Sequence, residues 1–202
     1  MDSDGEGVGG ENEAEEDVGG WPVGEGDGDD LEDQGNPLAT EICDDGIDND
    51  CDGTVDEDGY VQMDIGRDHS CGLTCLGELI CWGGNGEDQA AVPPETYTQF
   101  EAGKFHTCAV RADETTDCWG RNLNGQSDPP QETFRAVRAG FSHSCGEYAD
   151  GTVACWGMNT WGQCDPPEDV FTHTSLGHWH GCGVTLDGYV LCWGKNDYSQ
   201  CE

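Results

Sequence analysis

From residue 60 to its end, the chain consists of short segments in which apolar and polar residues alternate, and turn residues separate these segments. The clearest example covers residues 134–157. There the segment FRAVRAG (134–140) predicts a short strand ending at a glycine turn, and HSCGEY (143–148) and TVACWG (152–157) predict two more. Asp150 and Gly151 lie between the last two segments and are typical of a hairpin turn. The pattern therefore predicts three short strands, of which the last two form a hairpin.

This three-strand pattern occurs four times, with a period of 37 residues. Each unit begins its second strand with His-x-Cys and ends its third with Cys-Trp-Gly, and a Gln follows seven residues after the Trp. A sheet with one apolar face cannot bury that face alone, so the units must stack. We therefore predict an all-β, propeller-like array of four short three-stranded blades. The predicted blades are residues 60–96, 97–133, 134–170 and 171–202.

The second unit departs from the pattern at its hairpin turn. It has Asp113 and Glu114 where the third unit has Asp150 and Gly151. Glycine adopts a positive φ without steric cost, whereas glutamate does not. We therefore predict that the turn of the second unit is either longer or strained.

The repeat A-G-x-x-H-x-C-x-x-x-x-D-G-x-V-x-C-W-G-x-N-x-x-G-Q, which covers residues 60–202, resembles the repeats of the regulator of chromosome condensation family in their short bacterial form. The resemblance implies a β-propeller, which in this family commonly has seven blades. Four repeats leave three alternatives: a closed ring of four blades, an open arc, or part of a ring that another chain completes. An open arc would expose an apolar blade face.

Two cysteines lie ten residues apart on the hairpin strands of every unit. A short turn places them nearly opposite each other, as a disulfide requires. Zinc binding by His-x-Cys and the second Cys is the rival interpretation, but it lacks a fourth ligand. Each bridge should stabilise the fold by about 2–3 kcal/mol. The predicted pairs are Cys71–Cys81, Cys108–Cys118, Cys145–Cys155 and Cys182–Cys192.

Three further cysteines, Cys75, Cys164 and Cys201, belong to no hairpin. If the array closes into a ring, Cys201 could bond to Cys75. If it stays open, a Cys164–Cys201 bridge between neighbouring blades is the alternative. Either outcome leaves one cysteine for pairing between molecules.

Charge is distributed unevenly along the chain. Residues 1–58 hold 23 of the 43 acidic residues and no Lys or Arg. Residues 1–40 contain few large apolar side chains and cannot offset the entropy of ordering, so we predict a disordered acidic, Gly-rich tether. The net charge of −36 argues against nucleic acid and anionic membranes as partners.

The cysteine content indicates where the protein works. Thirteen cysteines in 202 residues indicate an oxidising compartment. No apolar run of the sequence is long enough to span a bilayer. We therefore expect an extracellular or bacterial cell-surface location, with an export signal or lipoprotein cysteine encoded upstream of Met1.

An aspartate-rich loop, EICDDGIDNDCDGTVDED (41–58), lies between the tether and the repeats. Asp48, Asp50 and Asp52 alternate and precede Gly53, a spacing typical of calcium loops in which carboxylates converge on one hard cation. The twelfth position is Gly59 instead of glutamate, so Glu57 can act as a ligand only if the loop closes earlier. The predicted metal ligands are Asp48, Asp50, Asp52, Thr54, Asp56 and Glu57.

The stretch CDDGIDNDCDGTVDE resembles a cysteine-bracketed metal-binding motif of secreted bacterial surface proteins and the calcium repeats of thrombospondin type 3. The resemblance implies an extracellular, structural Ca²⁺ site. Cys43 and Cys51 bracket the loop, and we predict a disulfide between them that closes it.

Residues that recur in every blade are predicted to be structural, because a catalytic residue is needed only once. We assign the four periodic His to turns and the four periodic Trp to blade packing. Trp161, His178 and Trp179 instead stand where the other units have other residue types. Aromatic and imidazole side chains on loops suit the recognition of a protein or a glycan. We predict a binding site there, with buried packing as the alternative.

These features predict a binding or interaction scaffold of bacterial type, held by disulfides and stabilised by calcium. One alternative is a structural surface component, and another is a partial propeller completed by oligomerisation. An enzyme that uses one propeller face is a third. It would need a non-repeated acid–base set, and the sequence shows no recognisable nucleophile–base pair.

Calcium is expected to raise the melting temperature of the full chain, because the ion would bind the folded aspartate loop and relieve repulsion between its carboxylates. Replacing Asp48→Ala together with Asp52→Ala should remove this shift. Calorimetry with calcium and with a chelator measures it. The control, Asp2→Ala with Asp4→Ala, removes the same charge from the tether and should keep the shift. A melt that calcium leaves unchanged would argue against the site.

Overall fold

The computed structural model describes Cys43 and residues 59–202. The tether and the predicted ligands Asp48 to Glu57 lie outside the described residues. The described part contains twelve β-strands and no helix, so it offers no helix that could cross a membrane. The strands are β1 Tyr60–Ile65, β2 His69–Thr74, β3 Leu79–Gly83, β4 Gln99–Ala102, β5 His106–Val110, β6 Thr116–Gly120, β7 Ala136–Ala139, β8 His143–Glu147, β9 Val153–Gly157, β10 Phe171–Leu176, β11 His180–Thr185 and β12 Val190–Gly194.

The twelve strands form four separate sheets, each with three consecutive antiparallel strands. The second strand of each sheet is the middle one, because it pairs with the strand before it and the strand after it. Each sheet corresponds to one repeat of the sequence, and we number these blades one to four in chain order. The predicted all-β array of four short three-stranded blades is confirmed.

The hairpin register places the two cysteines of each blade directly opposite each other. Their Cα atoms lie 4.0–4.1 Å apart, as in the closer pairs of an antiparallel ladder. A disulfide joins each predicted pair, so these cysteines cannot act as zinc ligands. The pairs are Cys71–Cys81, Cys108–Cys118, Cys145–Cys155 and Cys182–Cys192.

The remaining described cysteines do not follow the predictions. Cys43 bonds to Cys75, not to Cys51. The backbone N–H of Cys75 donates to the carbonyl of Gly59, where the chain enters the first blade, so this turn lies beside the incoming segment. Cys164 and Cys201 are free thiols, and neither predicted bridge of Cys201 forms. The Cys164 thiol instead contacts the carbonyl of Met158, within its own loop.

The hairpin turn of the second blade has the same length as the others and is strained. Glu114 has a φ of 63°, in the left-handed region where Gly77, Gly151 and Gly188 stand in the other blades. The Glu114 carbonyl accepts a hydrogen bond from the N–H of Phe134 in the next blade. This contact holds the turn in its conformation although the residue is not glycine.

The hydrophobic core lies between blades, not within them. Leu73 and Leu79 of the first blade pack with Tyr97 and Phe100 of the second. Stacking therefore buries the apolar face of each blade against the preceding blade. The corresponding clusters contain Val110, Phe134, Val137 and Trp156 between blades two and three, and Cys145, Phe171 and Trp193 between blades three and four.

The interface between blades three and four has a polar centre. Glu147 stands where the first two blades have Leu73 and Val110, and it is almost fully buried. Its carboxylate accepts hydrogen bonds from the hydroxyl and N–H of Thr174 and lies 3.2 Å from a guanidinium nitrogen of Arg138. A buried carboxylate is tolerated when it is paired and hydrogen-bonded in this way.

The array is open between its fourth and first blades. Tyr60 and Met63 of the first blade are 59% and 71% exposed, whereas Tyr97 and Phe100, at the same positions of the second blade, are 2% and 0% exposed. The described residues therefore do not close into a ring of four blades within one chain.

Replacing Glu114→Gly is expected to raise the free energy of unfolding by about 1 kcal/mol, because it removes the steric cost of the left-handed conformation. Urea denaturation of the oxidised protein measures the change. The matched control is Gly188→Glu, at the same turn position of blade four. A Cβ there would meet no atom within 4 Å, so only the backbone conformation opposes it. That variant should lose a similar amount, and a less stable Glu114→Gly protein would contradict the prediction.

Candidate functional site

Two loops meet at one end of every blade. The first joins strands one and two, and the second follows strand three. A backbone N–H of the second loop donates to a carbonyl of the first, which fixes one loop on the other. The four bonds are Gly84 to Asp68, Arg121 to Phe105, Met158 to Ser142 and Lys195 to Trp179.

The repeated glycine and histidine hold the first loop in place. A Cβ on Gly103 would lie 2.4 Å from the ring of His106, so only glycine fits. The Nε2 atom of His106 lies 2.9 Å from the hydroxyl oxygen of Ser144 in the next blade. His69 and Thr107 form the same contact at 2.9 Å. These histidines therefore pack against the glycine of the first loop and also form a hydrogen bond across the interface to the next blade.

Burial keeps the inner histidines neutral. Desolvation, followed by the neighbouring His143 and His69, lowers the pKa of His106 to about 3. Desolvation is also the main cause that lowers the pKa of His143 to about 4. Both side chains therefore remain uncharged at neutral pH.

The loop positions next to these fixed residues vary between blades and gather aromatic and basic side chains. We call this surface the cation–aromatic strip. It runs across the second, third and fourth blades and includes one residue of the first. Its members are Arg67, Lys104, Phe105, Arg121, Phe141, Trp161, His178, Trp179 and Lys195.

Three basic groups surround Phe105 at one end of the strip. Lys104 Nζ lies 4.8 Å from the centre of the Phe105 ring, and the guanidinium carbons of Arg67 and Arg121 each lie 5.3 Å from it. Lys104 Nζ also lies 3.4 Å from the centre of the Phe141 ring. Cation–π attraction therefore holds these like charges close together.

The other end of the strip brings together the three predicted binding residues. The rings of Phe141 and His178 stack with centres 3.6 Å apart, and His178 lies 4.2 Å from Trp179. Lys195 Nζ lies 4.5 Å from the Trp179 ring and 4.6 Å from the Trp161 ring. Trp161 and His178 are exposed, and Trp179 is half-buried.

The strip is positively charged in a chain that is otherwise strongly acidic. It contains four of the seven basic residues. Desolvation, followed by the nearby Arg67 and Arg121, lowers the pKa of Lys104, and Asp68 opposes this shift. Among the described residues, no carboxylate pairs with Lys104 or Arg121, whereas Arg67 lies 3.5 Å from Asp68 and Lys195 lies 3.0 Å from Asp197. The other three basic residues are paired with carboxylates, namely Arg111 with Asp117, Arg135 with Glu147 and Arg138 with Glu147.

A cavity of about 380 Å³ opens beside the strip. Equivalent residues of all four blades line it, from the ends of the first strands and the loops that follow. Arg67, Lys104, Phe141 and His178 belong to both the cavity and the strip. Its walls therefore combine apolar side chains and glycine backbone with the basic groups of Arg67 and Lys104.

Sequence reasoning identified Trp161, His178 and Trp179 but missed Phe141, Lys104 and Lys195. Column-by-column comparison of the repeats would have found them. The series 67, 104, 141, 178 is Arg, Lys, Phe, His, and the series 84, 121, 158, 195 is Gly, Arg, Met, Lys. Both series vary between blades, whereas the position immediately before each series is glycine in every blade.

No group of three or more His, Cys, Asp or Glu among the described residues is arranged to hold a metal ion. The predicted metal site lies in residues that are not described. A family model described as "Putative metal-binding motif", named for copper-binding MopE, matches residues 27–57. The sequence therefore contains a metal-binding motif in the segment that includes the aspartate loop.

The model of the regulator of chromosome condensation (RCC1) repeat matches residues 60–89, 97–126, 134–163 and 171–200. These matches cover more than half of the chain. The chain belongs to the RCC1 repeat family. No curated protein matches the chain as a whole.

Solved structures support the RCC1-type propeller fold. The ectodomain of the receptor kinase CR4 from Physcomitrella patens is 26% identical, with a TM-score of 0.59 over 68% of this chain and 39% of its own. The ACR4 ectodomain from Arabidopsis thaliana is 25% identical, with a TM-score of 0.58 over 74% of this chain and 54% of its own. Prp20p from Saccharomyces cerevisiae is 18% identical, with a TM-score of 0.62 over 70% and 46%. The chain spans about half of these proteins or less.

Acid is expected to destabilise the repeats through the buried histidines. In the unfolded chain His106 and His143 regain a pKa near 6.5, so the unfolded state binds more protons below about pH 6.5 and stability falls as the pH drops towards 4. Glu101, whose pKa burial raises to about 7, has the opposite effect, because its contribution to stability is lost as the pH rises. Each buried histidine contributes up to about 1.4 kcal/mol per pH unit.

The variant His106→Gln tests this assignment, because glutamine can still bond to Ser144 but does not titrate. The slope of unfolding free energy against pH should become shallower between about pH 6.5 and 4.5. His173→Gln, at an exposed position, is the control and should keep the original slope. Equal slopes in His106→Gln and the unaltered chain would contradict the assignment.

Proposed function

We propose that this protein is an extracytoplasmic protein-binding scaffold whose partner docks on the cation–aromatic strip. The observation that carries the proposal is the concentration of four of seven basic residues beside exposed aromatic rings, in a chain of net charge −36. Because these positions vary between blades, the fold does not require their side chains. Clustered charge of the minority sign attracts oppositely charged groups.

The chemistry of the strip specifies the partner's class. Lys104 and Arg121 have no carboxylate partner among the described residues, so carboxylates of a partner can pair with them. Trp161, His178 and Trp179 offer flat apolar surface beside these charges, and the adjoining cavity can accept an apolar or aromatic side chain. A protein segment that carries Asp or Glu next to an aromatic residue satisfies all three features.

The comparisons support a protein as the class of partner. The study of yeast Prp20p reports binding to Gsp1p and histones, and a second structure shows Kap60 bound to yeast RCC1. These proteins share only the fold with this chain at 18% identity, so their partners do not transfer. A glycan is the alternative that the aromatic residues allow.

Disulfides support a location outside the cytoplasm. Within Cys43 and residues 59–202 there are five, four across hairpins and one between Cys43 and Cys75. Such bridges persist in oxidising compartments and are rare in reducing ones. We therefore propose secretion or display at a bacterial cell surface.

We propose calcium as the ion of the metal-binding motif, because of its donor set. Copper sites use imidazole and thiolate, yet the motif contains no His, since the first His of the chain is His69, and one of its two cysteines, Cys43, is held in a disulfide. Asp48, Asp50 and Asp52 offer only oxygen, which calcium prefers. The ion would rigidify the segment that Cys43 ties to the first blade, without taking part in a reaction.

We also propose that the scaffold is not an enzyme. The repeated His are held by blade contacts, and burial keeps His106 and His143 neutral. Desolvation, followed by Asp165, raises the pKa of the free thiol of Cys164 to about 12, which makes it a poor nucleophile. The groups best placed to act on a ligand are those of the strip, and their chemistry is recognition.

A labelled peptide of Glu and Tyr residues is expected to bind the full chain, and a Lys and Tyr peptide of equal length is not. Replacing Lys104→Met together with Arg121→Met should weaken binding about tenfold, because the two basic groups without a carboxylate partner are lost while aliphatic side chains remain. Fluorescence anisotropy at low and high salt measures the affinity, which should fall as salt rises.

The matched control is Gln131→Glu with Thr133→Glu, which lowers the net charge by the same amount at exposed positions outside the strip. It should bind nearly as well as the unaltered chain. Equal losses in both variants would mean that net charge, not the strip, controls binding. A sulfated glycan that binds more tightly than the acidic peptide would favour the glycan alternative.

A further inference from the structure

The cation–aromatic strip contains one side chain whose charge can change near neutral pH. His178 lies in the strip, and its imidazole is exposed. An unperturbed imidazole has a pKa of about 6.5, so modest changes in its surroundings decide whether it is charged. The lysines and arginines of the strip stay charged throughout this range. His178 is therefore the member of the strip on which pH can act.

His178 lies between two aromatic rings, and each of these rings also contacts a lysine. The imidazole stacks on Phe141 with centres 3.6 Å apart and lies 4.2 Å from the Trp179 ring. Lys104 Nζ lies 3.4 Å from the centre of the Phe141 ring, and Lys195 Nζ lies 4.5 Å from that of Trp179. A stacked imidazole and an ammonium group can both come this close to Phe141 only from opposite faces. The Phe141 ring therefore separates Lys104 from His178.

The groups around His178 act on its charge in opposite directions. The faces of the two aromatic rings attract an imidazolium ion, as they attract the lysine ammonium groups. Desolvation, followed by the charges of Lys104 and Lys195, lowers the pKa of His178. The neighbouring His143 is buried and stays neutral at neutral pH. The charged groups that influence His178 are therefore both basic, and they hold it in the uncharged form at neutral pH.

An acidic partner on the strip would change these surroundings. Lys104 and His178 both line the cavity beside the strip. A carboxylate that pairs with Lys104 there cancels part of the repulsion and comes close to the imidazole. An opposite charge nearby favours the charged form of a titratable group. Docking also removes water from His178, which opposes protonation, but an imidazolium gains a charge-assisted hydrogen bond to the carboxylate in place of that water.

We propose that docking of an acidic partner on the strip adds one proton to His178, so that the partner binds more tightly in mildly acidic surroundings than at neutral pH. This inference rests on the proposed function of the strip and adds the regulation of that function. The proton comes from solvent and returns to it when the partner leaves. Because the complex holds this proton to a higher pH than the free protein does, affinity rises as the pH falls.

The dependence of affinity on pH is the first test. The labelled probe is a peptide of Tyr and cysteic acid, because its sulfonates stay charged throughout the range and any pH dependence then comes from the protein. Fluorescence anisotropy with the full, oxidised chain should show binding about fivefold tighter at about pH 5.5 than at about pH 7.5. Melting curves at both pH values verify that the chain is folded.

Two histidine variants locate the effect. His178→Gln cannot titrate, so it should bind the probe with nearly equal affinity at both pH values. His173→Gln removes an exposed imidazole that does not belong to the strip, and it should keep the fivefold difference. A merely structural role of His178 would change the affinity at both pH values by the same factor.

The proton itself can be counted. Titration calorimetry of the probe near pH 6.5, in two buffers that differ in ionisation enthalpy, gives the number of protons taken up for each complex formed. We expect about half a proton for the unaltered chain. His178→Gln should take up almost none, because its binding surface lacks the titrating group.

A further variant tests the electrostatic coupling without any partner. Lys104→Met removes one of the two ammonium groups near His178 and keeps aliphatic contact with Phe141, so the pKa of His178 should rise. NMR titration of the imidazole hydrogens measures this change. Arg135→Met removes a basic residue outside the strip and should leave the pKa of His178 as it is.

Three outcomes would overturn the inference. The probe could bind equally well at both pH values, His178→Gln could keep the pH dependence, or Lys104→Met could leave the pKa of His178 unchanged. Binding of the Glu and Tyr peptide would survive each of these outcomes, and so would the proposed function. Failure of both peptides to bind at any pH would instead remove the proposed function, and the regulation would be refuted with it.

Discussion

The backbone carbonyl of the glutamine in one blade accepts a hydrogen bond from the indole N–H of the tryptophan in the next blade. The glutamine loop and the disulfide-linked hairpin of each repeat hold these two groups in position. The Gln126 carboxamide holds its own loop by accepting from the N–H of Asn124 at 2.9 Å. The Trp156 indole reaches the Gln126 carbonyl because β8 and β9 form a rigid, disulfide-linked hairpin. Because each blade is too thin to contain a core, the stability of every sheet depends on this junction and on the apolar cluster around it.

The sequence allowed the fold to be predicted because the relevant information is local and repeated. A period of 37 residues defines the blades, and the alternation of apolar and polar residues defines the strands. The ten-residue spacing places two cysteines opposite each other on the paired strands of a hairpin. The strained turn at Glu114 was also predictable, since the other blades have glycine there. What the spacing left open was whether the turn would lengthen, and the contact from Phe134 to the Glu114 carbonyl explains why it did not.

The features that could not be predicted depend on distances between separate segments. Nothing in the spacing of Cys43, Cys51 and Cys75 shows that the chain enters the first blade beside the turn that contains Cys75. The binding residues were partly predictable, because Trp161 and Trp179 stand out in their columns. The role of Lys195 was not predictable, because it depends on the contact between the loop after strand three and the loop before strand two. That contact brings the Lys195 ammonium group over the indoles of Trp161 and Trp179.

The buried polar contact between Glu147, Thr174 and Arg138 makes the third junction chemically different from the first two. Near-identical repeats can exchange places during folding, which is a characteristic route to misassembly. If the third blade packed against any blade other than the fourth, Glu147 would be buried opposite an apolar residue and would lose both hydrogen bonds from Thr174, although Arg138 of its own blade would remain. The contact therefore favours packing of the third blade on the fourth over packing on any other blade, although the four repeats are similar in sequence.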